Sequence, residues 1–225
     1  MYTVRRRLVP PLLMLALACS RAPASQVANT APAPTASDSV AASLLVDVRT
    51  LDSTISVEAR YATTNNFTGA ILPGYQANRA LLRREAAAAL ARVQARLRRE
   101  GLGLRVYDGY RPVRATLAMV SWAERSGNTW VLEQGYVARR SRHNQGVAVD
   151  LTLIDLASGA PLEMGTPFDT FAPSAHTANA TGLARDNRQR LKHAMEAEGF
   201  TNYDQEWWHY IYPVQDPVPF DLVIR

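Results

Sequence analysis

Two short segments, far apart in the chain, must meet in the folded protein, and they constrain its fold more than any other feature. Residues 141–150 read Ser-Arg-His-Asn-Gln-Gly-Val-Ala-Val-Asp, and residues 206–210 read Glu-Trp-Trp-His-Tyr. Within them, His143, Asp150 and His209 offer two imidazoles and one carboxylate. That ligand set leaves the fourth tetrahedral position of a zinc ion open for water. The two segments together therefore predict a mononuclear zinc site suited to hydrolysis.

The residues around Asp150 predict the strand that carries it. Residues 147–153 are mostly apolar and three of the seven are β-branched, which favours a strand. Successive side chains on a strand point to opposite faces, so Asp150 can face a cleft while its two neighbours face the core. Gly146 lies just before this strand and allows the chain to turn. We therefore expect His143 and Asp150 to converge on one metal.

Glu206 lies three residues before His209 and is the predicted general base. On an ideal strand, two residues three positions apart point to opposite faces. A bend or bulge near Trp207 is therefore required if Glu206 and His209 are to face one metal. The other two histidines, His176 and His193, have no neighbours that could act as ligands, and no role is predicted for them.

The N-terminus predicts export. Residues 5–7 are three arginines, residues 8–18 are apolar but too few to span a bilayer, and Ala16–Ala18 fits a small-x-small cleavage pattern. Residues 1–18 are therefore predicted to be a signal peptide. Cys19, the single cysteine, follows directly. It is either incidental or the lipidated residue of a bacterial lipoprotein. We favour lipidation, which predicts a periplasmic protein anchored to the membrane by this lipid.

The chain after Cys19 divides into a tether and one domain. Residues 20–43 are rich in alanine, proline, serine and threonine without hydrophobic periodicity, which predicts disorder. The predicted lipidated N-terminus and tether therefore cover residues 19–43, and residues 44–225 form one domain with a single core. A lone cysteine cannot form an internal disulfide.

Charge gives no indication of nucleic-acid binding. The formal net charge of +5 includes the three arginines of the predicted signal peptide, so two positive charges remain on the mature chain. The remaining arginines are scattered, and no stripe of basic and aromatic residues marks a nucleic-acid groove. The sequence therefore predicts no nucleic-acid partner.

Hydrophobic periodicity predicts an α+β domain. Apolar residues at three- and four-residue steps predict a helix over residues 78–100, with Asn78 as its N-cap and Gly101 just past its end. The other predicted elements are a strand at 102–107, a turn at 108–109, a helix from Pro112 to about 125, a helix at 184–198 and a strand at 208–212. We expect a small antiparallel sheet to carry the zinc site, with helices flanking it.

Five ordered motifs resemble a known family. Besides the two segments above, they are residues 60–69 (Arg-Tyr-Ala-Thr-Thr-Asn-Asn-Phe-Thr-Gly), 107–112 (Tyr-Asp-Gly-Tyr-Arg-Pro) and 164–169 (Met-Gly-Thr-Pro-Phe-Asp). The chain resembles the zinc D-alanyl-D-alanine metallopeptidases, and more closely the D-alanyl-D-alanine dipeptidases of the vancomycin-resistance type. The similarity runs from about residue 45 to the C-terminus.

The resemblance implies roles in catalysis for three of the five motifs. His143, Asp150 and His209 would hold one Zn²⁺ per chain, and Glu206 would serve as general base and then as proton donor to the leaving amine. Arg111 would stabilise the carbonyl oxygen as it becomes an oxyanion, a role that suits a permanently charged guanidinium. The alternative for Arg111 is an ion pair with a surface carboxylate at a helix start.

The resemblance also implies substrate contacts. Ser141 and Arg142 would bind the substrate carboxylate or support neighbouring groups. Asp169 would receive the substrate ammonium, while Tyr61 and Phe67 would form the walls of a small pocket.

The expected function is zinc-dependent hydrolysis of the D-alanyl-D-alanine dipeptide to D-alanine. Since an exported enzyme cannot deplete a cytosolic dipeptide pool, cell-wall peptide turnover is the favoured role. Two alternatives remain at this stage. One is a D,D-carboxypeptidase or endopeptidase acting on peptidoglycan stems, and the other is a non-catalytic lipoprotein that binds the cell wall. The oligomeric state is not predicted.

Overall fold

The computed structural model describes residues 34–225. The predicted signal peptide, Cys19 and the first part of the predicted tether lie outside the described residues. Within residues 34–225, no helix is long and apolar enough to cross a membrane.

Five α-helices and seven short strands are present in the described part of the chain, joined by turns and single turns of 3₁₀ helix. The helices are α1 (Asp38–Leu44), α2 (Arg84–Arg98), α3 (Val113–Arg125), α4 (Trp130–Glu133) and α5 (Gly182–Glu196). The strands are β1 (Leu45–Asp47), β2 (Ser56–Val57), β3 (Leu81–Arg83), β4 (Leu102–Asp108), β5 (Ala148–Asp155), β6 (Thr201–Asn202) and β7 (His209–Ile211).

The main sheet has five strands in the order β2-β4-β5-β7-β6, and β1 pairs with β3 in a separate antiparallel ribbon. Strands β4, β5, β7 and β6 are antiparallel neighbours, whereas β2 runs parallel to β4. The α+β class is confirmed, but the expectation of a small, wholly antiparallel sheet is wrong. Strands β2 and β6 have two residues each, too few to produce an alternating pattern in the sequence.

The predicted helix over residues 78–100 begins too early. Its apolar stripe was extended back to Leu82, which instead lies in β3 and pairs with Val46 of β1. The side chain of Asn78 caps no helix, because it accepts a hydrogen bond of 2.8 Å from the backbone N–H of Ala59. The helix ends at Arg98, two residues before the predicted end, and Gly101 follows with a φ of +72°.

Part of the predicted tether is folded. Residues 38–43 belong to α1, whose N-terminus is capped by the side chain of Ser37 and whose Ala41 is buried. The backbone N–H of Ala36 also donates to the carbonyl of Pro219 (2.9 Å). The boundary at residue 44 was therefore placed too late, because order in this segment comes from contacts with the C-terminal part of the chain.

The two faces of β5 serve different purposes. Val149, Leu151 and Leu153 are buried in a core that includes residues of α2 and α5. Asp150 points to the other face and lines a cavity together with Met119 of α3. The predicted alternation along this strand is therefore what places a carboxylate in a cleft while its neighbours fill the core.

Candidate metal centre and active site

The three predicted metal ligands meet at one point. His143 Nε2 lies 3.1 Å from His209 Nδ1 and 3.3 Å from Asp150 Oδ2, and His209 Nδ1 lies 2.8 Å from Asp150 Oδ1. A tetrahedral zinc ion with bonds of about 2.0–2.1 Å holds its ligand atoms about 3.3 Å apart. Both the donor set and its spacing therefore fit a single zinc ion.

The loop before β5 fixes His143. Its Nδ1–H donates to the carbonyl oxygen of Gly109 (2.7 Å), which leaves the lone pair of Nε2 free for a metal. Ser141 caps this loop by accepting a hydrogen bond of 3.2 Å from the backbone N–H of His143. Gly146 closes the loop with a φ of +67°, and a Cβ there would collide with the side chain of Leu45. The predicted turn at Gly146 is thus confirmed.

Strand pairing places the other two ligands side by side. Asp150 of β5 and His209 of β7 are direct cross-strand partners. Burial raises the pKa of Asp150, but the His143 imidazole and the hydrogen bonds from both histidines outweigh it, so this pKa lies below its usual value. Burial lowers the pKa of His209 despite the nearby carboxylate. The pair therefore favours a charged carboxylate and a neutral imidazole, the forms that bind metals.

A turn between Glu206 and His209 supplies the predicted irregularity. The N–H of His209 donates to the carbonyl of Glu206 (3.2 Å), so Trp207 and Trp208 occupy the turn and β7 begins only at His209. The side-chain amide of Asn202 donates to the carbonyls of both Glu206 (3.1 Å) and His209 (3.0 Å). As a result, Glu206 Oε2 lies 3.9 Å from His209 Nδ1.

Glu206 lies in a cluster of negative charge. Burial, followed by the charges of Asp150 and Asp169, raises its pKa well above the usual value, against the opposing effect of Arg111. A divalent cation held by the three ligands would offset this excess of negative charge. The acidic surroundings of Glu206 are a second feature that fits a metal.

Arg111 is held beside the metal ligands from within the protein. It is 8% exposed, its Nε and Nη2 donate to Asp108 Oδ2 (2.9 and 2.8 Å), and its Nη2 lies 3.8 Å from Asp150 Oδ2. Its guanidinium lies over the ring of Tyr61 at 5.0 Å. The alternative of a surface ion pair is wrong, because both partners of the pair are buried.

Asp108 is a site residue that sequence analysis missed, since its position was assigned only to a turn. Besides Arg111, its carboxylate accepts from Tyr75 Oη (2.6 Å) and lies 3.4 Å from His143 Nδ1. It lies at the end of β4, directly opposite Asp150 at an irregularity in the β4–β5 pairing. The sequence does contain a signal for Asp108, because it is an acidic residue at the end of a buried strand, three positions before Arg111.

The predicted substrate contacts lie around the same cavity. Tyr61 Oη donates to Asp169 Oδ1 (3.0 Å), and the rings of Tyr61 and Phe67 pack edge to face at 6.2 Å. Burial, followed by the charge of Asp150, raises the pKa of Asp169 to about 8. The charge of Arg111 opposes this rise, but within residues 34–225 no cationic side chain forms an ion pair with Asp169.

One cavity of about 250 Å³ brings all of these groups together. Its lining includes every residue predicted to bind metal or substrate or to act in catalysis: Tyr61, Phe67, Arg111, Ser141, Arg142, His143, Asp150, Asp169, Glu206 and His209. Tyr136, Phe171 and Tyr203 also line it and were not predicted from the sequence. Pockets for drug-sized ligands measure about 300–1,000 Å³, so this cavity suits a smaller molecule.

A family model described as D-ala-D-ala dipeptidase, of the M15 peptidases, matches residues 41–221. The chain belongs to this family. The resemblance inferred from the five motifs is thereby confirmed, and with it the expectation of a hydrolytic enzyme.

Two D-alanyl-D-alanine dipeptidases agree with the family match. A D-alanyl-D-alanine dipeptidase of Enterococcus faecium is 37% identical over 187 residues, covering 75% of this chain and 92% of that protein. The D-alanyl-D-alanine dipeptidase of Streptomyces coelicolor is 38% identical over 175 residues, covering 71% and 87%. A solved structure of the vancomycin resistance D,D-pentapeptidase VanY in complex with Zn(II) is 19% identical, covers 71% of this chain and 87% of that chain, and has a TM-score of 0.38.

Proposed function

We propose that this chain is a zinc-dependent dipeptidase that hydrolyses D-alanyl-D-alanine to D-alanine during cell-wall peptide turnover. The observation that carries this proposal is the convergence of three ligand atoms, Glu206 and Arg111 on one small cavity. The substrate follows from family membership, since the relatives are D-alanyl-D-alanine dipeptidases.

The residues of the site have distinct tasks in the reaction. His143, Asp150 and His209 would hold a zinc ion, which would supply a Lewis acid for the scissile carbonyl and lower the pKa of the attacking water. Glu206 accepts the proton of that water and delivers it to the leaving amine. Arg111, fixed by Asp108, donates hydrogen bonds to the carbonyl oxygen as negative charge develops on it.

The two charged ends of the dipeptide have candidate partners. Asp169 accepts the substrate ammonium, with Tyr61 orienting its carboxylate. The hydroxyl oxygen of Ser141 accepts from the His143 N–H, so its own hydrogen can be donated to the substrate carboxylate. The exposed side chain of Arg142 lines the cavity and supplies a positive charge for the same end.

Blocking the substrate amine tests this assignment. N-acetyl-D-Ala-D-Ala should be cleaved with a kcat/KM at least about 10²-fold below that of the free dipeptide, because it leaves Asp169 without its cationic partner. Asp169→Ala should reduce the ratio of kcat/KM for the free dipeptide to kcat/KM for the N-acetylated dipeptide, mainly by impairing cleavage of the free dipeptide. The exposed Asp186→Ala is the matched control and should leave the ratio unchanged. Equal cleavage of both substrates by the unsubstituted enzyme would place it with the carboxypeptidases.

Two other functions fit the site less well. A D,D-carboxypeptidase or endopeptidase acts on long peptidoglycan stems, which offer no free amine next to the scissile bond for Asp169 to bind. A non-catalytic binding protein has no use for a base such as Glu206 beside three metal ligands. Hydrolysis assays on D-Ala-D-Ala and on longer stem peptides, each with and without a chelator, separate the three functions.

The location of the reaction is proposed from the N-terminal sequence. The unsubstituted protein should be found in the membrane fraction, anchored through a lipid on Cys19. Cys19→Ser should yield a soluble, still active enzyme if the ordinary signal peptidase can cleave the signal. Fractionation followed by the dipeptidase assay measures both. Unsubstituted protein found wholly in the soluble periplasmic fraction would contradict lipidation and leave the catalytic proposal intact.

A further inference from the structure

Asp169 lies in an irregular stretch of chain, residues 163–177, which we call the Asp169 segment. Its regular structure is limited to short 3₁₀ turns. One is Pro173–Ala175, and a second, Thr177–Asn179, starts at the last residue of the segment. Asp169 itself has a φ of +61°, in the left-handed region that non-glycine residues seldom adopt. Contacts from elsewhere in the protein must therefore hold this segment in place.

Arg188 of α5 supplies such contacts at both ends of the segment. Its guanidinium donates to three backbone carbonyls, those of Met164 (2.7 Å), Ser174 (3.0 Å) and His176 (2.7 Å). Arg188 is 1% exposed, so these bonds are shielded from water. One rigid, planar group thus ties together two stretches that flank Asp169 on either side.

The chemistry of Arg188 indicates a positional role. Within the described residues no carboxylate lies within ion-pair distance of Arg188, and burial lowers its pKa below the usual value despite the opposing charge of Glu163. Burial of a cation without an acidic partner is unfavourable in free energy, and an apolar side chain could fill the same space without that penalty. An apolar side chain, however, has no N–H groups to donate to these three carbonyls, which would then lack hydrogen-bond partners.

The same segment is joined to the turn that carries the base. The indole Nε1–H of Trp207, next to Glu206, donates to Thr166 Oγ1 (2.9 Å), and the backbone N–H of Trp207 donates to the carbonyl of Ala175 (3.1 Å). The guanidinium of Arg188 also lies 5.9 Å from the Trp207 ring. The position of Asp169 relative to the base therefore depends on this set of contacts.

We propose that Arg188 is a positioning residue for recognition of the substrate amine, acting through the Asp169 segment. It touches neither the cavity nor the metal ligands, yet it sets where the Asp169 carboxylate stands relative to Tyr61 and Glu206. This inference rests on the proposed function, in which Asp169 binds the ammonium of a free dipeptide.

The test compares Arg188→Lys and Arg188→Met with the unsubstituted, zinc-loaded enzyme on free and N-acetylated D-Ala-D-Ala. A displacement of about 1 Å can cost about 10²-fold in rate, so kcat/KM for the free dipeptide should fall by about 10- to 100-fold, mainly through KM. The N-acetylated substrate does not use Asp169, and its kcat/KM should change by less than about threefold. Zinc content, measured separately, should stay at that of the unsubstituted protein.

A matched control separates positioning from general loss of stability. Leu191→Ala opens a cavity in the core from the same helix, since Leu191 is fully buried. It should lower the melting temperature and leave the ratio between the two substrates unchanged. If Arg188→Met does not fold, Arg188→Lys and Thr166→Val decide the question, because Thr166→Val removes the Trp207 contact with little change in shape.

Two results would overturn the inference. One is an equal loss on both substrates in the Arg188 variants, as expected for a purely structural residue. The other is that Arg188→Lys and Thr166→Val leave the ratio of kcat/KM between the free and the N-acetylated dipeptide unchanged, while Asp169→Ala narrows this ratio. That result would contradict the role of Arg188 but leave the proposed function intact. An unchanged ratio in Asp169→Ala itself would instead count against amine recognition by Asp169.

Discussion

Replacement of Glu206 by Gln should lower kcat by about 10²–10⁴-fold while the protein keeps its zinc. Glutamine has nearly the same shape but cannot accept the proton of the attacking water. The three ligand atoms belong to other residues and lie within 4.8 Å of one another without it. Single-turnover or steady-state kinetics on D-Ala-D-Ala, together with elemental analysis of the same sample, measure both quantities.

Glu133→Gln, on the exposed surface of α4, is the matched control and should leave kcat unchanged. Glu206→Ala should behave like Glu206→Gln, because both remove the base. If the Glu206 variants instead lost their zinc and recovered appreciable rate once zinc was restored, Glu206 would be a ligand, and one of the three assigned ligands would have to be the base.

The convergence of the proposed metal ligands with Glu206 could be predicted because local chemistry restricts these residues strongly. An aspartate on an apolar strand needs a partner or a metal, and strand alternation alone sends Asp150 to the face opposite its neighbours. The turn at Trp207 was also predictable, since Glu206 and His209 cannot otherwise face the same point. Both expectations follow from the covalent chain and its local geometry.

The early elements of the fold were harder to predict. Alanine and leucine continue at helical spacing back to Leu82, so periodicity alone cannot show that β3 intervenes before α2. What places Leu82 in a strand is its pairing with Val46, a contact between distant parts of the chain. Similarly, α1 has seven residues and is ordered through neighbours that its own sequence does not contain.

The groups that support the site were also hard to predict, for a related reason. Asp108 and Arg188 look like ordinary charged residues in the sequence, one in a turn and the other on a helix rich in arginine. Their importance depends on burial and on which donors and acceptors surround them, and both are properties of the tertiary structure. The three acceptors of the Arg188 guanidinium are backbone carbonyls, which every residue has, so the sequence gives no pattern that indicates them.

Removal of the metal should abolish hydrolysis and destabilise the protein. Purified enzyme should contain about one zinc per chain, because two imidazoles and one carboxylate complete a mononuclear site. Metal that binds the folded state alone stabilises it by about 2.7 kcal/mol at a free concentration 100 times its dissociation constant. Dialysis against a chelator should therefore lower both activity and melting temperature, and added zinc should restore both.

Substitution of single histidines distinguishes a metal site from a general effect of the chelator. His209→Ala should lose stoichiometric zinc and activity, because it removes one of three converging ligand atoms and leaves Asp150 with one histidine partner fewer. His193→Ala, on the exposed face of α5, should keep both. The melting temperature of His209→Ala should no longer respond to added zinc, a readout that does not depend on catalysis. Undiminished hydrolysis in a chelator, by protein shown to be free of metal, would contradict the whole mechanism, because Glu206 and Arg111 alone provide no Lewis acid for the scissile carbonyl.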